Sequence, residues 1–254
     1  MQQVRHLHGP ELISVIVPCR NEEGNVPFLI QSLSNLTTAS EVIFVEGGSS
    51  DNTFEELRLA IIEQHNANLK VIRQTGSGKF NAVLEGSSQA TSDYIAIWDG
   101  DNTIDSVDQN FLMLDYCKLN PSTSFVTANR FNSRRDKNAF RTFNMIGNKV
   151  FSALVRVVLH QNLPDVLAGT KIFPKYILDK EFGCLGALRL DPFGDLYLIA
   201  MASKANLEFR SVDCRYQTRS YGKTNIKRWS GGWALLKCII HFQIHGCVSS
   251  DKRG

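Results

Sequence analysis

The chain has 254 residues, 43% hydrophobic and 21% charged, the balance of a soluble globular protein long enough for one large domain or two small ones. It holds no uncharged apolar run of about 18 residues, and its first ten residues lack an apolar core, so neither a membrane-spanning helix nor a signal peptide is expected. The net charge of +3 is uneven: from Lys204 onward ten Lys/Arg stand against three Asp/Glu, which fits an anionic partner or a merely solvated basic surface.

In chain order, L-I-S-V-I-V-P (12–18), E-V-I-F-V (41–45), L-K-V-I-R (69–73), Y-I-A-I-W (94–98) and S-F-V-T-A (124–128) are short, apolar and β-branched. Each predicts a strand buried on both faces. Helical patterns lie between them. Over 52–64, Phe54, Leu57, Ile61 and Ile62 share a face, with Asp51 as N-cap; 79–90 and 108–118 read similarly. Beyond them come a basic loop (129–141), an amphipathic helix (142–160), a return to the sheet (167–174) and a helix start (192–202). A strand (209–216), a polar loop (219–225) and an apolar helix (229–246) follow. Strands alternating with helices predict an α/β fold with a mostly parallel sheet covered on both sides. With no linker or repeat, residues 1–254 read as one domain, 1–11 being a flexible lead. Six cysteines without a C-x-x-C read as reduced thiols of a cytoplasmic protein.

Ligands of such sheets bind beyond the carboxyl ends of the strands. There lie P-C-R-N-E-E (18–23), E-G-G-S-S-D-N-T (46–53), Q-T-G-S-G-K (74–79) and D-G-D-N-T (99–103). The third is no Walker loop, because Arg73 and Phe80 stand where Gly and Ser/Thr are needed; Asn81 breaks G-x-G-x-x-G. It is either a plain turn or a place where Lys79 faces an anion. Asp99 and Asp101, separated by Gly100, would repel each other unless a divalent cation joined them. Hard oxygen donors suit Mg²⁺ or Mn²⁺ shared with substrate phosphates. The plain alternative is an Asx turn in which Asp101 caps the next helix.

S-V-I-V-P-C-R-N-E-E-G-N-V, E-V-I-F-V-E-G-G-S-S-D-N-T and D-G-D resemble, in order and spacing, the motifs of family-2 glycosyltransferases. R-S-Y-G-K-T-N-I is similar to the Arg-x-x-Gly-Lys-Ser loop of dolichyl-phosphate mannose synthase-like members. The resemblance covers residues 12–228 and implies a GT-A, Rossmann-like fold and metal-dependent transfer from a UDP- or GDP-linked sugar to a lipid-linked or saccharide acceptor, with no nucleic acid involved. It places Pro18, Arg20 and Glu22 at the base and ribose, Glu46 at the base edge and Lys79 near the nucleotide. Asp99 would hold the ribose or a metal-bound water, and Asp101 the metal. Arg130 matches a basic residue after a strand, while Arg219 and Lys223 match a phosphate clamp. Asp195, opening a helix after Gly194, is the candidate base, with Asp191 its rival; a helix-start carboxylate is the structural alternative. The chain departs from the family at E-G-G-S, at Tyr197 and at Asn102–Thr103. A nucleotidyltransferase and a non-catalytic nucleotide-sugar binder are the competing readings. The 229–246 helix, with two tryptophans and basic flanks, fits a membrane surface, placing the chain peripherally on the inner face, or else a core or subunit interface.

Overall fold

The structure, a computed structural model, describes residues 13–34, 36, 38–136, 142–179, 191, 193–222 and 228–244. Seven strands form one sheet: β1 (Ile13–Cys19), β2 (Ala39–Glu46), β3 (Leu69–Arg73), β4 (Tyr94–Ile97), β5 (Ser124–Asn129), β6 (Lys171–Pro174) and β7 (Glu208–Asp213). Their order is β3-β2-β1-β4-β6-β5-β7. Every neighbouring pair is parallel except those made by β6, which runs antiparallel to both β4 and β5.

The helices are α1 (Val26–Leu33), α2 (Thr53–Gln64), α3 (Lys79–Gln89), α4 (Ser106–Lys118), α5 (Thr142–Val158), α6 (Asp195–Lys204) and α7 (Arg228–Ile244). Successive strand residues point to opposite faces, so each strand feeds two cores. Ile16, Ile43, Val45, Ile95 and Ile97 pack with residues of α3, α5, α6 and α7. Val15, Val17, Val42, Phe44 and Trp98 pack with α1, α2 and α4. That double burial is why β1, Ser14 apart, reads as a continuous apolar run rather than an alternating one. Helix α6 is apolar all round because it is enclosed: Leu196 to Ala202 are all buried.

Two expectations fail for the same reason. Strand β3 lies at the sheet edge, so Lys70 and Arg73 are exposed rather than buried. The α2 face is narrower than its pattern, with Leu57 buried but Ile62 exposed, because α2 covers that edge. Asp51 does not cap α2 at the N-cap position, which Asn52 holds; it accepts from the Thr53 amide at 3.1 Å one step earlier. The predicted flexible lead, Cys184, Cys247 and Lys223 lie outside the described residues. Among the described residues, Cys19, Cys117, Cys214 and Cys238 are not joined in disulfides.

The strand order sets the site. From β1 the chain moves outward to β2 and β3, then returns to the other side of β1 with β4. The two directions of travel leave a crevice beyond the carboxyl ends of β1 and β4.

Candidate active site

On the β1–β2 side, two turns are stitched together by hydroxyls, amides and carboxylates. The Asn21 amide donates to Ser49 Oγ at 2.9 Å, and the Ser50 amide donates to Asn21 Oδ1 at 2.8 Å. Asn21 adopts φ 57°, a conformation Asn tolerates. The Glu22 amide donates to Thr53 Oγ1 at 2.9 Å. Glu46 is buried, and its Oε1 accepts from the Ser49 amide at 2.5 Å. Pro18 is half-buried beside this network, and Arg20 is exposed at its rim.

Glu22 is 6% exposed; its carboxylate accepts from Asn25 Nδ2 at 2.6 Å and from Arg219 Nη1 at 3.0 Å. Burial pushes the carboxyl up to about 7, with Arg219 and Asn25 working against that and the nearby Asp101 adding to it. The same Arg219 donates through Nη2 to Asp101 Oδ2 at 2.5 Å. One guanidinium therefore joins the end of β1 to the end of β4.

Asp101 is part of an Asx turn, Oδ1 accepting from Thr103 Oγ1 at 2.8 Å. It does not cap the next helix. Asp105 does, accepting from the Val107 amide at 3.0 Å. Asp99 accepts from Lys79 Nζ, whose residue opens α3. Burial penalises the Asp99 charge, and the Lys79 ammonium more than offsets it, holding the carboxyl below its ordinary range. Gly100 is buried with no space for a side chain, since a Cβ there would lie 2.9 Å from the Pro18 carbonyl oxygen. Gly169 backs the Lys79–Asp99 pair, and a Cβ there would strike both partners.

The C-terminal half supplies the remaining charges. Arg130, just after β5, donates bidentately to Asp165 at 2.7 and 3.0 Å, and Asn148 Nδ2 donates to the same carboxylate at 2.6 Å. Asp165 is fully buried; that burial opposes its charge, but Arg130 prevails and lowers the carboxyl's pKa. Asp195, in the first turn of α6, accepts from Lys171 Nζ at 2.6 Å. Asp191 instead accepts from the amides of Phe193, Gly194, Leu196 and Tyr197 at 2.8–3.0 Å. It caps α6, so both its oxygens are committed to the backbone.

Asp99, Asp101, Lys79, Arg219 and Glu22 are thus brought together, with Asp195 close enough to act on the Lys79 charge. Arg130 is directed to Asp165. Sequence reasoning missed Lys171 and Asp165. Their signal was a charged residue on each side of the apolar stretch V-L-A-G-T (166–170) that leads into β6.

Among the described residues, no group of three or more His, Cys, Asp or Glu is placed to cage an ion. Asp99 and Asp101 offer hard oxygens of the kind Mg²⁺ and Mn²⁺ take. The donor set would fit an ion that completed its shell with ligand phosphates and water.

The model of Glycosyl transferase family 2 matches residues 14–182. The chain is 35% identical over 121 residues to poly-beta-1,6-N-acetyl-D-glucosamine synthase of Staphylococcus epidermidis, covering 47% of this chain and 28% of that protein. It is 33% identical over 93 residues to undecaprenyl-phosphate 4-deoxy-4-formamido-L-arabinose transferase of Yersinia enterocolitica, covering 35% and 28%. The matches thus cover 28% of the length of each of these relatives. Glucosyl-3-phosphoglycerate synthase from Mycobacterium tuberculosis, crystallised with Mn²⁺, UDP and glucosyl-3-phosphoglycerate, superposes with TM-score 0.62 at 16% identity, over 95% of this chain and 82% of that one. The likeness is one of fold, the GT-A Rossmann-like arrangement of sheet and helices.

Proposed function

The chain belongs to glycosyl transferase family 2, and on that premise we propose that it is a glycosyltransferase that moves a sugar from a UDP- or GDP-linked donor to a lipid-linked or saccharide acceptor with inversion. The observation that carries this reading is the convergence of Lys79, Asp99, Asp101, Arg219 and Asp195 at the crevice beyond β1 and β4. We treat the chain as one catalytic domain, since one sheet supplies both halves of that set.

Glu46 and the Asn21–Ser50 turn take the base and ribose, with Pro18 and Arg20 at the mouth. Asp99 and Asp101 would hold Mg²⁺ or Mn²⁺, which would supply positive charge against the leaving diphosphate. Lys79 and Arg219 add preplaced positive charge where negative charge develops; Lys223 is carried as a clamp residue on its motif alone. Asp195 takes the proton of an acceptor hydroxyl. That oxygen then bonds to the anomeric carbon from the face opposite the diphosphate, and the carbon–oxygen bond to the diphosphate breaks with its electron pair going to the phosphate. Asp191, spent on capping α6, is not the base in this reading.

A membrane-surface location is part of the proposal. Among the described residues no helix is long and apolar enough to cross a bilayer. Helices α5 and α7 contain no acidic residue, and they expose Ile146, Val150, Val157, Trp233, Ile240 and Ile244 together with Lys149, Arg156 and Lys237. Such a surface suits the cytoplasmic face of an anionic bilayer.

The test is a thermal-shift screen of UDP, GDP and their sugars with and without Mn²⁺, followed by assay of nucleoside diphosphate release. A ligand that binds the native state raises the melting temperature by mass action. One base giving a Mn²⁺-dependent rise, with turnover of its sugar, supports the reading. Pyrophosphate release from a nucleoside triphosphate plus a sugar phosphate would replace it with a nucleotidyltransferase.

A further inference from the structure

Lys171 has no place in the donor site described above, yet it is one of the largest fully buried side chains of the protein. Burying an ammonium is costly unless it is paired and hydrogen-bonded. Lys171 meets both conditions. Its Nζ donates to the Ala168 carbonyl and to Asp195 Oδ1, the latter at 2.6 Å. Its charge also acts on Asp99.

The topology explains how a lysine came to be there. Strand β6 runs antiparallel to β4, with Lys171 opposite Ile97. The first residue of β6 therefore stands level with the last residue of β4, at the crevice edge, where a parallel strand would have placed its final residue. The Asp195 side chain is 10% exposed, so one face of its carboxylate is fixed by Lys171 while a small part of it remains open to the crevice.

Resting on the reading of Asp195 as the base, we propose that Lys171 is a positioning residue. It locks the Asp195 carboxylate on one oxygen and aims the other at the acceptor hydroxyl. It does not touch donor or acceptor. Removing it frees the Asp195 rotamer and leaves that carboxylate without its partner, so the proton-accepting oxygen is no longer held in reach of the acceptor.

The experiment uses the best-turned-over member of a panel of UDP- and GDP-sugars and reads kcat and donor KM separately. Lys171→Met should lower kcat about 100-fold and leave donor KM within about threefold. Lys171→Arg should recover most of the loss, because the charge and the hydrogen bond return. Should Lys171→Met fail to fold, Lys171→Met/Asp195→Asn leaves no stranded charge and is compared with Asp195→Asn alone. A residue acting only through Asp195 changes kcat by less than about twofold in that background. Unchanged kcat in Lys171→Met, a raised donor KM with normal kcat, or a further large loss in the double variant each overturns the proposal. Normal turnover in Asp195→Asn removes the base reading itself, and this outcome is distinct from the other three.

Discussion

The β1–β2 end of the crevice and the β4–β6 end are built differently. At the first, Glu46, Asn21 and Thr53 are tied to amides and hydroxyls of two adjoining turns. At the second, charges hold charges: Lys79 with Asp99, Lys171 with Asp195, Arg130 with Asp165. Arg219 links the two ends. A neutral hydrogen bond contributes about 1 kcal/mol net, whereas breaking one partner of a buried ion pair costs about 3–5 kcal/mol. The first end is thus a neutral hydrogen-bonded frame, which in the proposed reading receives the base and ribose. The second is a balance of charge that, in the proposed reading, the diphosphate would alter.

The sharpest way to break that contrast is at Asp195. Asp195→Asn should lower kcat about 10³–10⁴-fold, equivalent to about 4–5.5 kcal/mol, and leave the thermal shift produced by nucleoside diphosphate intact. Loss of nucleotide binding in that variant would mean the two ends are not separable. Asp165→Asn comes next. It strands a charge at Arg130, and urea unfolding should show a loss of about 3–5 kcal/mol, against about 1 kcal/mol for Ser49→Ala at the other end. Equal losses would erase the distinction.

Asp101→Asn should cost about 100-fold in transfer, near 2.7 kcal/mol, and abolish the Mn²⁺-dependent part of the donor thermal shift. Retained metal dependence would move the ion elsewhere. The smallest effect is at Glu22, the carboxylate on the border. Its carboxyl is raised from 4.5 to about 7 by burial, so the native state holds the proton more tightly than the unfolded chain. The stability this contributes is complete below about pH 4.5 and is lost as pH rises through about 7. Glu22→Gln cannot lose it. At pH 8 the variant should melt roughly 2–4 °C above the native protein, reflecting about 1 kcal/mol, and the gap should close by pH 4.5. A less stable variant at pH 8 would show that the Arg219 pair outweighs burial.

The same division governs what could be read from residues alone. The apolar β-branched runs, the helices between them and the polar turns that follow are local signals, and all five early strands appear where the pattern put them, to within a few residues. Parallel strands separated by helices put their carboxyl ends at one edge, so Glu46, Asp99 and Asp101 could be grouped before any coordinates were known. The edge position of β3 could not, because a strand's neighbours are set by sheet order and its own pattern does not encode them. The helix-capping readings missed by short steps: Asp105 caps α4 in place of Asp101, and Asn52 holds the α2 N-cap position in place of Asp51. Asp195 does open α6, as the helix-start alternative had it, but its carboxylate goes to Lys171 while Asp191 takes the helix amides.

By itself, then, the sequence determined the alternation of elements, the identity of the strand-end carboxylates and the likeness to family-2 glycosyltransferases, the part of the resemblance that the match over residues 14–182 bears out. The tertiary structure alone decided which cation meets which carboxylate. Lys171 reaches Asp195 because β6 reverses direction, and Arg219 reaches Asp101 across 118 positions because the chain folds back over β1. Hydrophobic periodicity is written into neighbouring residues, but Coulomb partners are chosen by distance in space, and that distance exists only once the sheet is assembled.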